Sequence, residues 1–313
     1  TAEGTAIQNF DDLDAWASGL KKRDSKELPG LLTSTEKILR DQPEHKALAS
    51  CLKALATMVG GNQEAGRVSA VAVQAGAHQP ERALEVLNSL FKDRRQRGGY
   101  VADPPVVDFV CKILQSSIQG GVERGTYQRA CRLVDWLSLD PQNRAELASK
   151  GGFGTLLQVM KKFHDDPGVL LEGCGCLQSI AEEPSLDAGQ ATLVAMSCLQ
   201  SFPDNPELQW RALAALHRLP LPATEMRFPI AKLACAAAER FPRCDTTTSV
   251  VEWAAKLLHK LASGPEKDIC TWLRDPAQKP WLKKIQDAPL RAAGKVNREA
   301  ENWVKELCRL SAA

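Results

Sequence analysis

Apolar residues return along this chain in one short pattern: a small or apolar residue, two spacers, an apolar pair, two spacers, an apolar residue. It reads Leu48-x-x-Cys51-Leu52-x-x-Leu55, then Ala83-x-x-Val86-Leu87-x-x-Leu90, then Ala130-x-x-Leu133-Val134-x-x-Leu137. It continues as Gly173-x-x-Cys176-Leu177-x-x-Ile180, Ala212-x-x-Ala215-Leu216-x-x-Leu219 and Ala254-x-x-Leu257-Leu258-x-x-Leu261. A weaker seventh copy, Trp303-x-x-Glu306-Leu307-x-x-Leu310, has a glutamate in the pair. Residues three and four apart share one face of a helix, so each copy predicts an amphipathic helix. The second members of the pairs, residues 52, 87, 134, 177, 216, 258 and 307, lie 35, 47, 43, 39, 42 and 49 residues apart. A helical pattern returning at such an interval marks stacked helical repeats, each unit burying its apolar sides against the next.

Start signals precede several of these helices. Asp41-Gln42-Pro43-Glu44, Gln79-Pro80-Glu81, Asp166-Pro167 and Asp204-Asn205-Pro206-Glu207 place proline near a first helical position, where its missing N–H costs nothing. An adjacent Asp can cap the helix, and Glu favours the positive end of its dipole. The clearest whole unit runs from Asn143 to Ala181: a short helix Asn143–Ser149, a break at Gly151-Gly152, a second helix Phe153–Phe163, a turn His164–Pro167, and a third helix Val169–Ala181.

That unit resembles an armadillo repeat, in which a short helix, a glycine turn and two longer antiparallel helices form one block. Gly152 matches the turn glycine, Leu156-Leu157 the second-helix core, and Leu177 and Ile180 the third-helix core. Gly76 offers a second candidate turn glycine. HEAT repeats, with two helices each, share the period, so the resemblance is to the armadillo/HEAT superfamily over most of residues 40–310. It implies an all-α, right-handed α-solenoid of about seven units. Residues 1–39 read as an N-terminal helical cap, with Phe10, Leu13, Trp16 and Leu20 at helical spacing. Residues 40–263 hold the repeats, and 264–313 an irregular insertion and a C-terminal capping repeat. Loops are expected at Gln96–Pro105, Gly120–Gly125 and Leu219–Pro229, the last for its three prolines.

The resemblance also implies that the third helix of each unit lines a concave groove. With the pattern numbered one to eight, positions three and seven share a stripe between the core residues. In importin-type and catenin-type relatives, position three is often Trp and position seven often Asn, and those asparagines hold an extended peptide. Here position three reads Ser50, Glu85, Arg132, Gly175, Ala214, Lys256 and Lys305, and position seven Ala54, Ser89, Trp136, Ser179, Arg218, Lys260 and Arg309. The asparagine ladder is absent, which argues against a nuclear-localisation-signal receptor. The stripe is instead basic toward its C-terminal end. Arg218, Lys256, Lys260, Lys305 and Arg309, with Arg132 and Trp136 midway, are the candidate partner-binding residues, suited to an acidic or phosphorylated segment. Charge reversal at Lys256 and Lys260 is expected to weaken that contact without unfolding the chain.

Composition narrows the alternatives. A net charge of +2 gives no global pull toward nucleic acid or an anionic membrane. The longest apolar run, Val68–Ala77, falls short of the roughly 18 residues a transmembrane helix needs. Of ten cysteines, Cys51, Cys131, Cys176 and Cys198 fall on apolar helical positions, and there is no CxxC. Reduced thiols in an intracellular or organellar compartment are therefore expected. The chain begins at Thr1, which fits a processed or trimmed chain, and Cys174 and Cys176, two apart on a helix, read as one core and one peripheral thiol. The run Lys92–Tyr100 reads as a helix end rather than a nucleic-acid site. Most of the seven tryptophans read as packing between units.

No metal or cofactor motif is present: the five histidines are scattered, and Gly151–Thr155 lacks the preceding strand and following GK[ST] of a phosphate loop. The sequence thus reads as a non-catalytic protein–protein interaction scaffold or adaptor without cofactor. A constitutive structural or accessory subunit of a large multiprotein complex, an organellar one included, is the alternative, and an RNA-binding helical-repeat protein the second. Against the last stand the near-neutral charge and the uneven repeat lengths.

Overall fold

The computed structural model describes residues 10–20, 26–58, 65–92, 102, 104–120, 123–241, 250–264, 268–275, 291–292 and 295–296, and the single positions 302, 305 and 309. Among them are fifteen helices and one antiparallel pair of two-residue strands, Arg291–Ala292 and Lys295–Val296. The chain divides into two compact units, Thr1–Val159 and Met160–Ala313.

In the first unit the helices are α1 Phe10–Gly19, α2 Leu28–Asp41, α3 Ala47–Met58, α4 Ala65–Ala75, α5 Pro80–Lys92, α6 Pro104–Gln119, α7 Arg124–Leu137 and α8 Pro141–Ser149, followed by α9 Gly152–Lys162, which runs into the second. They form two rows: α1, α3, α5 and α7 pack in succession, while α2, α4 and α6 pack behind them and α8 adjoins α6. The repeated pattern accounts for the front row. Its core residues on α3, α5 and α7, from Leu48 to Leu137, are no more than 1% exposed. A fully buried leucine contributes on the order of 2–3 kcal/mol of apolar transfer, so a handful per helix sets the register of the stack. The residues read as a cap enter this scheme as α1, whose Leu13 and Ala17 are buried and whose Asp14 carboxylate accepts from Ser50 on α3. Trp16 is half-buried and the second cap helix, α2, continues to Asp41.

The second unit contains α10 Pro167–Ser179, α11 Ala188–Ser201, α12 Pro206–Arg218, α13 Thr224–Arg240, α14 Val250–Ala262 and α15 Asp268–Arg274. Here α10, α12 and α14 form the front row, α11 packs on α12 and α13, and α13 on α14. The pattern residues on α12 and α14 are again at most 3% exposed.

Capping follows the aspartate and proline signals. Asp166 accepts from the Gly168 and Val169 amides at 2.9 and 3.2 Å, with Pro167 in the first turn. Asn205 accepts from Leu208 N at 3.1 Å. Two caps of the same kind, Asp140 on α8 and Asp187 on α11, were not anticipated, and Asp140 starts its helix at Pro141 rather than Asn143.

Several expectations are corrected. Pro43 lies in a turn, and α3 begins only at Ala47, whose amide is capped by His45 Nδ1 at 3.2 Å. The loop expected through Pro229 ends earlier, because α13 starts at Thr224 and carries Pro229 within it. Gly76 sits in the turn between α4 and α5, where a Cβ would meet the Phe109 ring at 2.3 Å, so close packing rather than a short-helix break requires glycine. At the break before α9 the left-handed residue is Gly151, with φ 68°, while Gly152 is the first helical residue and abuts Leu147 O. Cys174 and Cys176 are both fully buried, not one core and one peripheral, because every residue from Glu172 to Leu177 on α10 is enclosed. Of the expected loops, Gly120–Glu123 separates α6 from α7, Gly120 having φ 93°. The run after Lys92, the core of the seventh copy and Trp281 lie outside the described residues.

Candidate partner-binding face

Positions three and seven of the pattern do not form a uniformly solvated stripe. In the first unit Ala54 is buried, and Ser50, Ser89, Glu85, Arg132 and Trp136 are half-buried. Arg132 and Trp136 stand one turn apart on α7. Beside them the charges of α5 and α7 are spent on each other: Arg82 Nη1 lies 2.7 Å from Glu85, while Arg129 reaches Glu81 at 3.0 Å and Glu85 at 3.2 Å.

In the second unit Gly175 and Ala214 are buried, Ser179 is half-buried and Arg218 is exposed. Lys256, expected to be accessible, is only 8% exposed. Its Nζ pairs with Glu252 at 2.8 Å and lies 4.5 Å from the centroid of the Trp253 ring. Lys260 is half-buried and donates to two backbone oxygens at the end of α12, His217 O at 2.6 Å and Leu219 O. It thereby caps carbonyls that the helix leaves unbonded, and burial holds its ammonium below its ordinary pKa. Charge reversal at these two lysines is therefore not a clean surface test. It would set a carboxylate beside buried Glu252 and uncap α12. Lys305 and Arg309 are exposed helical positions.

The lysines surround an aromatic contact. The His217 and Trp253 rings meet edge to face at 5.7 Å. Burial, then Lys260, Lys256, Arg218 and His259, push the His217 pKa down from 6.5 to about 4. The ring is neutral at physiological pH within a positive field. The remaining acid of α12, Glu207, lies in its first turn, and Glu252 is taken up by Lys256. The face of α12 and α14 thus carries an excess of positive charge.

Two features escaped the sequence reading. The first is position six. Asn88 Nδ2 donates to Leu84 O and, across to α7, to Arg129 O, both at 2.9 Å. Gln178 Nε2 repeats this from α10, donating to Cys174 O and to Arg211 O on α12, both at 3.3 Å. An amide at the same register bridges neighbouring front-row helices in both units, so these amides are committed to the scaffold rather than free for a peptide. The second is the residue just before the pattern, arginine at 82, 129 and 211. The Arg211 guanidinium lies 5.1 Å from the Trp210 ring, a cation–π arrangement. The recurrence of arginine at this register was the available signal.

Elsewhere, an open groove of about 530 Å³ between α2 and α4 has Leu39 and Val71 among its walls, with Glu36, Arg40, Gln74 and His78 also lining it. Glu36 there is held by Arg67 at 2.7 and 2.8 Å. Seven cysteines, from Cys51 to Cys235, are buried and outside any disulfide, and burial raises the thiols of Cys51 to about 12 and Cys111 to about 11. Cys174 and Cys198 approach to 3.8 Å, which raises Cys174 further. Among the described residues no three His, Cys, Asp or Glu side chains converge as metal ligands would, and no helix is long and apolar enough to cross a membrane.

No protein-family description and no curated protein matches the chain. Solved structures do. A crystallised engineered protein is similar at a TM-score of 0.68 and 19% identity, over 97% of this chain and 74% of that one. A chain from work on a conserved phosphorylation switch controlling the interaction between cadherin and beta-catenin is similar at 0.70 and 16%, over 97% of this chain. The present chain spans 64% of that one, less than two thirds. A designed armadillo repeat protein is also similar, at 0.49 and 16% identity, over 91% of this chain and all of that one. The fold is an all-α solenoid of armadillo-like helical repeats.

Proposed function

We propose that this protein is a non-catalytic scaffold that holds a segment of a protein partner along its front-row helices, with an acidic or phosphorylated stretch taken by the α12–α14 face. The observation carrying this reading is the unbalanced charge there. Arg218 is exposed and Lys260 is fixed beside it on the end of α12, while Glu252 balances Lys256 and the one acid of α12, Glu207, lies in its first turn, at the other end of the helix from Arg218. Fixed cations attract an anion without first losing side-chain freedom, and an exposed arginine adds bidentate pairing to carboxylate or phosphate. A protein of similar fold has been studied in a phosphorylation-controlled interaction with another protein, which supports a binding role for repeats of this kind.

The test is capture from native extract with and without nuclease, followed by crosslinking and mass spectrometry, with Arg218→Glu as the variant. A protein partner should survive nuclease and crosslink to front-row helices. It should be lost about ten-fold more readily in the variant or in high salt. A partner that disappears with nuclease, or binding indifferent to both salt and Arg218→Glu, overturns the proposal.

A further inference from the structure

Three polar atoms on the α12–α14 face are shut away from water without a hydrogen-bond partner: His217 Nδ1, Trp253 Nε1 and Arg211 Nε. Such groups are uncommon in folded proteins and point to a function or to a missing ligand. Two of the three, His217 and Trp253, are the edge-to-face pair. The cations beside them cannot swing aside. Lys256 is held by Glu252 and the Trp253 ring, and Lys260 by the terminal carbonyls of α12, one of them His217's own.

We propose that His217 takes up a proton when an anionic peptide segment settles on this face, so that mild acid tightens the complex. This rests on the basic-face reading above and adds a proton linkage to it. The titratable groups that bear on the ring are Arg218 on its own helix and Lys256, His259 and Lys260 on α14, where Glu252 is paired to Lys256; Arg211 on α12 lies against the Trp210 ring. The other helices packed on α12 contribute none: α11 carries only Cys198, and α10 only Glu172, Cys174 and Cys176, and none of these bears on His217. All four neighbours oppose protonation. An anion laid over them offsets that opposition, so the imidazolium becomes easier to form in the complex than in the free protein. By linkage, a group with a higher pKa when bound favours binding as pH falls toward that value.

A peptide of six cysteic acids, acetylated at its N-terminus and amidated at its C-terminus, is the probe, because its sulfonates stay ionised across the range and every proton exchanged then belongs to the protein. Using the full chain, histidine ring resonances are followed from pH 4 to 8 with and without saturating peptide, and affinity is measured at pH 7 and 5. The His217 pKa should rise by about one to two units, with affinity about two- to ten-fold greater at pH 5 than at pH 7. In His217→Gln the pH dependence should largely disappear. If that variant folds poorly, proton uptake by the native chain, read from binding heats in buffers of different ionisation enthalpy, serves instead. Binding that leaves the His217 titration and proton uptake unchanged overturns the linkage alone. No binding at either pH overturns the basic-face reading together with it.

Discussion

Gly76 and Gly30 show how differently two glycines can be constrained. A Cβ at residue 76 would enter the Phe109 ring, whereas one at residue 30, in the first turn of α2, meets nothing within 4 Å. Gly76→Ala should therefore cost about 1–3 kcal/mol by overpacking, and Gly30→Ala should be neutral or stabilising by up to about 1 kcal/mol. Denaturant titration of the two variants checks the contrast. His217 gives a pH prediction at the same scale. Its folded pKa, about 4, lies below the ordinary 6.5. Between those values the unfolded chain binds a proton that the native ring refuses, so unfolding takes up protons and stability falls as pH falls through that window. Below about pH 4 both states are protonated and the loss stops. Allowing for partial exposure, about 1 kcal/mol should be lost from pH 7 to 5 through this group. His217→Gln should remove that part of the slope. None of this was legible from the chain alone, because a burial-shifted histidine and a ring-blocked glycine are set by neighbours dozens of residues away.

At the scale of helices much more was legible, and for a local reason. An apolar pattern with three- and four-residue spacing can bury only one face, so the six copies within the described residues became front-row helices with their pattern residues buried. Asp166-Pro167 was readable as a start because the cap bonds only amides two and three residues on, and Asp166→Ala should cost about 1 kcal/mol in a thermal or urea melt. Proline misled twice. Pro43 lies in the turn before α3, and Pro229 stands inside α13, past the first turn. The bridging amides Asn88 and Gln178 were invisible because their second acceptors belong to the next repeat. Gln178→Ala leaves Arg211 O without the Gln178 bond and should cost about 1–2 kcal/mol, more than a surface Gln→Ala. The candidate basic stripe was legible as a set of residues but not as an environment. The spacing that aligned Lys256 and Lys260 could not tell that Glu252 and the end of α12 already engage them.

For the molecule as a whole, stability and the proposed recognition belong to different layers, and one comparison separates them. Leu216 is 3% exposed in α12, which packs between α10 and α14, while Arg218 two residues on is exposed. In a stacked array each helix is stabilised chiefly by its neighbours, so a cavity spreads to the elements in contact and fades beyond them. Leu216→Ala should cost about 2–5 kcal/mol. In hydrogen exchange it should strip protection from α12, α10 and α14 more than from α15, which packs on α13 and α14. Arg218→Glu should leave that exchange map unchanged and weaken only the captured partner. The same division explains why the repeats were readable from the chain and the partner was not. Burial restricts each core position to a few residue types that recur at every copy, whereas exposed positions such as Arg218, proposed to meet a partner, carry no such restriction. If the two variants produced the same exchange map, the assignment of Leu216 to the stack and Arg218 to the binding face would fail together.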